Sequence, residues 1–158
     1  FEFTGSFVPV EDVASMPAVN YSVFQRPLGV NKLNTTFSID GYTAAANSFQ
    51  FDFGNQVVKQ DLMNVDTTEI TGRASTGSVT FRDTDVATKD WLSMARTSVK
   101  VPLLLKHGQA ATNTVSLSVP LAQIGKPTFS EVEGIHMITV PFRCIPSNAG
   151  NDEWSFTV

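Results

Sequence analysis

Val99-Lys100-Val101-Pro102-Leu103-Leu104-Leu105 and Val115-Ser116-Leu117-Ser118-Val119-Pro120-Leu121 set the fold class. In each run every second residue is apolar, which is the pattern of a strand with one face buried and one face in water. The polar stretch from His107 to Asn113 joins them as a hairpin. The same period recurs outward from this pair. Phe49, Phe51 and Phe53 alternate with Ser48, Gln50 and Asp52, and Leu33, Thr35, Phe37 and Ile39 alternate with Asn34, Thr36, Ser38 and Asp40. Trp154, Phe156 and Val158 close the chain in the same rhythm. About ten strands of this kind predict a mainly β protein, either two packed antiparallel sheets or a partly closed β-barrel.

One segment departs from this period. Ala87, Trp91, Met94 and Ala95 recur at helical spacing, which predicts one flanking α-helix over Thr84 to Thr97, started by Asp83 or Thr84. Pro102, Pro120 and Pro141 each fall inside a strand of the second half. Proline has no N–H for a ladder, so each is expected at an edge, a bulge or a switch between sheets. The segments from Val8 to Ala18, Asp40 to Asn47 and Gly54 to Asp66 read as long polar loops. The last carries Val57, Val58, Leu62, Met63 and Val65 with little to hide them, so Val57, Val58, Leu62 and Met63 are the expected subunit-interface residues.

The chain has 158 residues, 42% hydrophobic and 16% charged, in keeping with a folded core. No apolar run approaches the roughly 18 residues that cross a bilayer as a helix, so no membrane role is expected. Phe1 is read as a processing site or fragment boundary, and residues 1–158 as a single β domain, either a short chain in its own right or the C-terminal domain of a longer parent chain. Net charge is −4, and the basic residues are scattered along the sequence, which disfavours tight nucleic-acid binding. Cys144 is the only cysteine; no internal disulfide forms, and the thiol reads as a small buried hydrophobe.

Catalytic chemistry finds little support. Gly72 to Val79 has phosphate-loop glycine spacing but lacks the lysine and leads into a strand. His107 and His136 have no partner at a metal-ligand spacing. Glu131 and Glu133 would share a strand face about 6.6 Å apart, a separation used by inverting glycosidases, but such pairs usually form a solvated acidic face. The sequence therefore predicts no enzyme, no cofactor and no metal.

Four short elements occur in a telling order: Phe53-Gly54-Asn55-Gln56-Val57-Val58, then Thr71-Gly72-Arg73, then Thr76-Gly77, and finally Gly150-Asn151-Asp152-Glu153 before a short apolar strand. This order resembles the C-terminal half of tailed-phage tail tube proteins. The resemblance implies turns at Gly72, Arg73, Gly77, Asn151, Asp152 and Glu153. It also implies a structural virion protein of the tail, made in the bacterial host cytoplasm. Its subunits would form rings that stack into a channel for genome delivery, alongside tape measure, terminator and tail tip proteins. DNA would pass without specific binding along a polar strand face, with Gln50 and Asp52 facing the lumen. Two alternatives remain at this stage. One is a carbohydrate-binding or adhesin domain using Tyr21, Tyr42 and Trp154; the other is a virion connector or decoration protein.

Overall fold

The computed structural model describes residues 9–12, 15, 18–21, 27–109 and 113–158. The chain forms two compact units, one of residues 1–27 with Asn55–Arg73, the other of Leu28–Gly54 with Ala74–Val158. Among the described residues the first unit holds strands β4 (Asn55–Leu62) and β5 (Val65–Arg73), which pair only with each other.

The second unit contains β1 (Thr35–Ile39), β2 (Tyr42–Thr43), β3 (Ala46–Asp52), β6 (Thr76–Arg82), β7 (Lys100–His107), β8 (Val115–Ile124), β9 (Thr128–Val132), β10 (Ile135–Cys144) and β11 (Ser155–Thr157). All nine join one antiparallel sheet along the path β2-β1-β7-β8-β10-β6-β3. The long strands β8 and β10 change partners midway. Residues 116–118 of β8 pair with β11, whereas Ala122 to Ile124 pair with β10. Residues 135–139 of β10 pair with β9 before Phe142 to Cys144 meet β8. The sheet thus divides into two layers, β2-β1-β7-β8-β11 and β9-β10-β6-β3, joined where β8 and β10 end. Among the described strands it does not close into a barrel, since β2 and β3 end the path.

Strand alternation fills the space between the layers. Phe37 and Ile39, Val79 and Phe81, Val101 and Leu103, Leu117 and Val119, and Ile138 and Val140 are buried, while Ser38, Thr80, Lys106, Ser118 and Thr139 lie between them in sequence or face outward. The three prolines occupy the predicted irregularities. The register of β7 on β8 shifts between Val101 and Leu103, where the partners step from Ala122 to Val119; Pro102 and Pro120 both lie in that shift. Pro141 lies between Thr139, the last residue paired with β9, and Phe142, the first paired with β8.

Several expectations are corrected. The helix α1 spans only Trp91–Arg96, not Thr84 to Thr97. Asp90 has non-helical backbone angles, and its carboxylate accepts a 2.9 Å bond from the Ser93 N–H, so it starts the helix about two turns later than Asp83 or Thr84 would. Asp85, Val86 and Thr88 are weak helix formers, and Ala87 lies in the turn they make. Trp91 is nonetheless buried, edge-on to Phe81 at 5.1 Å and to Tyr42 at 6.1 Å. Glu131 and Glu133 do not share a strand face: β9 ends at Val132, and Glu133 (φ 51°) with Gly134 (φ 77°) makes the tight turn into β10. The expected loop from Asp40 to Asn47 contains a two-residue turn, Asp40-Gly41, that leads directly into β2. Leu33 is exposed in the turn before β1, outside the strand. Parts of the Val8 to Ala18 and His107 to Asn113 segments lie outside the described residues.

Candidate assembly interface

The stretch from Gly54 to Asp66 is not a loop. It forms β4, the reversal at Met63-Asn64 and the start of β5, with Asn64 at φ 72° supplying the left-handed turn residue. The register shifts at the base, between Gln56 and Val57, and beyond it the pleat sets the adjacent Val57 and Val58 on opposite faces of the ribbon. Val57 lies opposite Ile70, Lys59 opposite Thr68, and Asp61 opposite Asp66 on one face; Val58 lies opposite Glu69, Gln60 opposite Thr67, and Leu62 opposite Val65 on the other. The tip is apolar and open: Leu62 is 60% exposed and Met63 96%. Behind it stands a cross-strand pair of like charges, Asp61 and Asp66, relieved by one diagonal contact from Lys59 to Asp66 at 3.6 Å.

Thr71, Gly72 and Arg73 were expected as a turn but are the last residues of β5, with Gly72 opposite Gln56 and Arg73 opposite Asn55. The chain reverses at Ala74-Ser75 instead, and Gly77 already lies within β6. Gly77 is required by close packing: a Cβ there would lie 2.4 Å from the Phe142 ring and 2.6 Å from the Gln50 carbonyl oxygen. The C-terminal motif does form a turn, with Gly150 at φ 71° and Asn151 at φ 57°. Hydrogen bonds from the Ser147 side chain and backbone hold the Asp152 carboxyl below its usual value.

That acidic turn delivers Trp154 to a junction that the sequence did not disclose. The Trp154 indole Nε1 donates to Ser75 Oγ at 3.0 Å, and Ser75 Oγ donates to the Phe53 carbonyl at 2.7 Å. The indole also packs on Phe53 at 4.9 Å and Phe51 at 6.0 Å. Ala74 N–H donates to the Gly54 carbonyl at 3.1 Å, and a Cβ on Gly54 would strike the Ala74 carbonyl oxygen at 2.2 Å. Buried Ser75 thus fastens the points where the chain leaves β3 and enters β6 to the start of β11. Trp154 and Tyr42 are engaged in packing, so they do not present a sugar-binding platform, and Tyr21 belongs to the other unit.

Gln50 and Asp52 lie exposed on the outer face of β3, opposite Ser78 and Thr76. Asp52 Oδ1 accepts from the Gly54 N–H at 2.8 Å. Cys144 is buried, and burial first, then the nearby Glu153 charge, push its thiol up to about 11. His107 Nδ1 bonds Thr35 Oγ1 at 2.8 Å, tying β7 to β1. Among the described residues, no group of three His, Cys, Asp or Glu side chains is arranged to hold a metal ion.

No protein-family model matches the chain. No curated protein matches it either. Solved structures do. The anti-feeding prophage cap, which terminates that system's tube, matches with a TM-score of 0.58 at 10% identity, over 85% of this chain and 95% of that one. The sheath/tube terminator of the PVC extracellular contractile injection system matches with a TM-score of 0.56 at 10% identity, over 84% of this chain and 99% of that one. The SPP1 tail tube matches with a TM-score of 0.51 at 14% identity, over 73% of this chain and 75% of that one. The fold is tail-tube-like. At these identities the likeness is one of fold; in this chain the β4–β5 ribbon lies in sequence between β3 and β6. These neighbours are structural tail proteins rather than enzymes.

Proposed function

We propose that this chain is a structural subunit of a tail tube, assembling into rings that stack around a channel through which a genome passes. The observation that carries this reading is the ribbon β4–β5 with Val57, Val58, Leu62 and Met63 exposed, set in a tail-tube-like fold. An exposed apolar ribbon tip is unfavourable on a monomer and favours burial against another chain. The open edges of β3, β9 and β11, each paired on one side only among the described strands, offer backbone groups that neighbouring copies satisfy. Repeating one heterologous contact by rotation closes a ring. Tape measure, terminator and tail tip proteins are the partners this role entails.

The test is assembly. Purified protein is expected to form rings or tubes in negative-stain micrographs and to sediment as oligomers. Replacing Val57, Val58 and Leu62 with Ser should leave the circular dichroism spectrum unchanged and abolish those species. Normal assembly of the triple variant would refute the role of the ribbon.

A second reading is favoured by one observation: the match spans 95% and 99% of the two terminator chains but 75% of the tube chain. On that reading the protein closes a tube as a single ring. Long homopolymeric tubes support the tube subunit, whereas rings that do not stack support the terminator.

A further inference from the structure

Arg143, at the end of β10, lines a groove in the second unit. This groove, about 870 Å³, is bounded by β3, β6, the C-terminal ends of β8 and β10 and the segment after α1. Its floor is apolar, with Phe51, Phe142 and Ile124, and Arg143 stands in its wall. Arg143 belongs to a register row that crosses five strands: Asp52, Thr76, Arg143, Gln123 and Lys100. Lys126 follows Gly125 and Arg96 follows Ala95, and both of those preceding residues also line the groove. Arg143 is the one of these four cations that lines the concavity itself, and Lys100 shares its register row, in a protein of net charge −4. None of the four pairs with a carboxylate among the described residues. The one carboxylate of the row, Asp52, is turned to the Gly54 N–H.

The ribbon has the complementary surface. Its apolar tip of Leu62, Met63 and Val65 is backed by Asp61, Asp66 and Glu69, with only Lys59 set against them. Asp61 and Asp66 repel each other across the strands, and a cation from outside relieves that repulsion. We propose that the tip of the β4–β5 ribbon of one copy docks in the Arg143 groove of a second copy, apolar tip on apolar floor and Asp61 and Asp66 against Arg143. This rests on the tube-subunit reading and deepens it by naming the receiving surface. It moves Gln50 and Asp52 from the channel to the subunit interface, because both line the groove. A nucleic-acid backbone would use the cations but not the phenylalanine and isoleucine floor, and it would leave the acidic, apolar tip without a partner.

Charge reversal tests the pairing. Arg143 is exposed, so Arg143→Glu should fold normally and raise the assembly threshold about tenfold or more, with Arg143→Gln showing a smaller rise. Asp61→Lys with Asp66→Lys should do the same, and Asp61→Asn with Asp66→Asn guards against misfolding of the ribbon. An equimolar mixture of the Arg143→Glu chain and the double-lysine chain should restore assembly, since alternating copies again set opposite charges against each other at every contact. Assembly of Arg143→Glu at the wild-type threshold would overturn the groove while leaving the tube reading intact. A wild-type chain that stays monomeric would overturn the tube reading and the groove with it. Undiminished assembly combined with loss of binding to a short DNA duplex would make the groove a nucleic-acid site instead.

Discussion

Trp91 is 2% exposed, faces Phe81 and Tyr42, and donates its indole N–H to Thr84 Oγ1 at 3.3 Å. Lys89 lies 5.8 Å from the ring centre and is ion-paired with Asp40, so one indole links α1, β2 and β6. Trp91→Ala should lower stability by about 3 to 5 kcal/mol in a chemical denaturation series, as aromatic truncations in cores do. Helical spacing marked this residue correctly even though the helix was drawn too long, because burial of a large aromatic depends less on the element's length than on where its face points. Cys144 permits a second test. Its thiol is raised from 9.0 to about 11 in the folded chain, so folding favours the neutral form. The resulting stabilisation is complete below pH 9.0 and is lost as pH rises through 11. The stability difference between the wild-type chain and Cys144→Ala should therefore shrink across that interval, and a pH-independent difference would show that the thiol titrates normally in the fold. Ser75 and Gly77, by contrast, were illegible as packing residues. Their roles depend on Trp154, Phe53, Phe142 and the Gln50 carbonyl, which are distant in sequence and meet only in the folded sheet.

Elements with clean alternation were readable, and those governed by local competition were not. Strands β7 and β8 were legible because most of their apolar residues alternate toward the core, Leu104 excepted, and the three prolines announced the shift and the partner change. The helix was overextended because an apolar residue every three or four positions fits α1 and the turn before it alike. What decides its start is Asp90, whose carboxylate satisfies a free N–H of the first turn better than helical backbone at Asp90 would. Asp90→Ala should cost about 1 kcal/mol, and Asp90→Ser should recover most of that loss in thermal melts. Equal stability of all three chains would place the helix start elsewhere. The ribbon was misread for a different reason. The shift beside Val57 breaks the period at its base, and Lys59-Gln60-Asp61 interposes three polar residues where alternation would reveal a strand.

At the scale of the whole molecule, both sheet layers turn hydroxyl-rich faces outward. Ser48, Thr80, Thr139 and Thr128 form one cross-strand row, in which Thr80 Oγ1 and Thr139 Oγ1 lie 2.8 Å apart, and Thr43, Ser38, Leu104, Ser118 and Ser155 form another. Alternation showed that these faces are polar. It did not show that hydroxyls outnumber carboxylates on them, nor that Lys100 and Arg143, far apart in sequence, share one cross-strand row, since both depend on strand register. A hydroxyl face offers a phosphate backbone only weak neutral contacts, and the net charge of −4 adds a repulsion that salt confines to about 8 Å. Arg143 in the groove is the cation placed to reverse this, and in the assembled state we propose that it meets Asp61 and Asp66 of another copy. The intact protein is therefore expected to show no duplex-DNA binding in a fluorescence anisotropy titration at about 0.15 M ionic strength, a salt level that still leaves tight phosphate binders engaged. Micromolar affinity falling steeply with added salt would mean that the cations remain open to phosphate, and the picture of a conduit that passes DNA without holding it would fail.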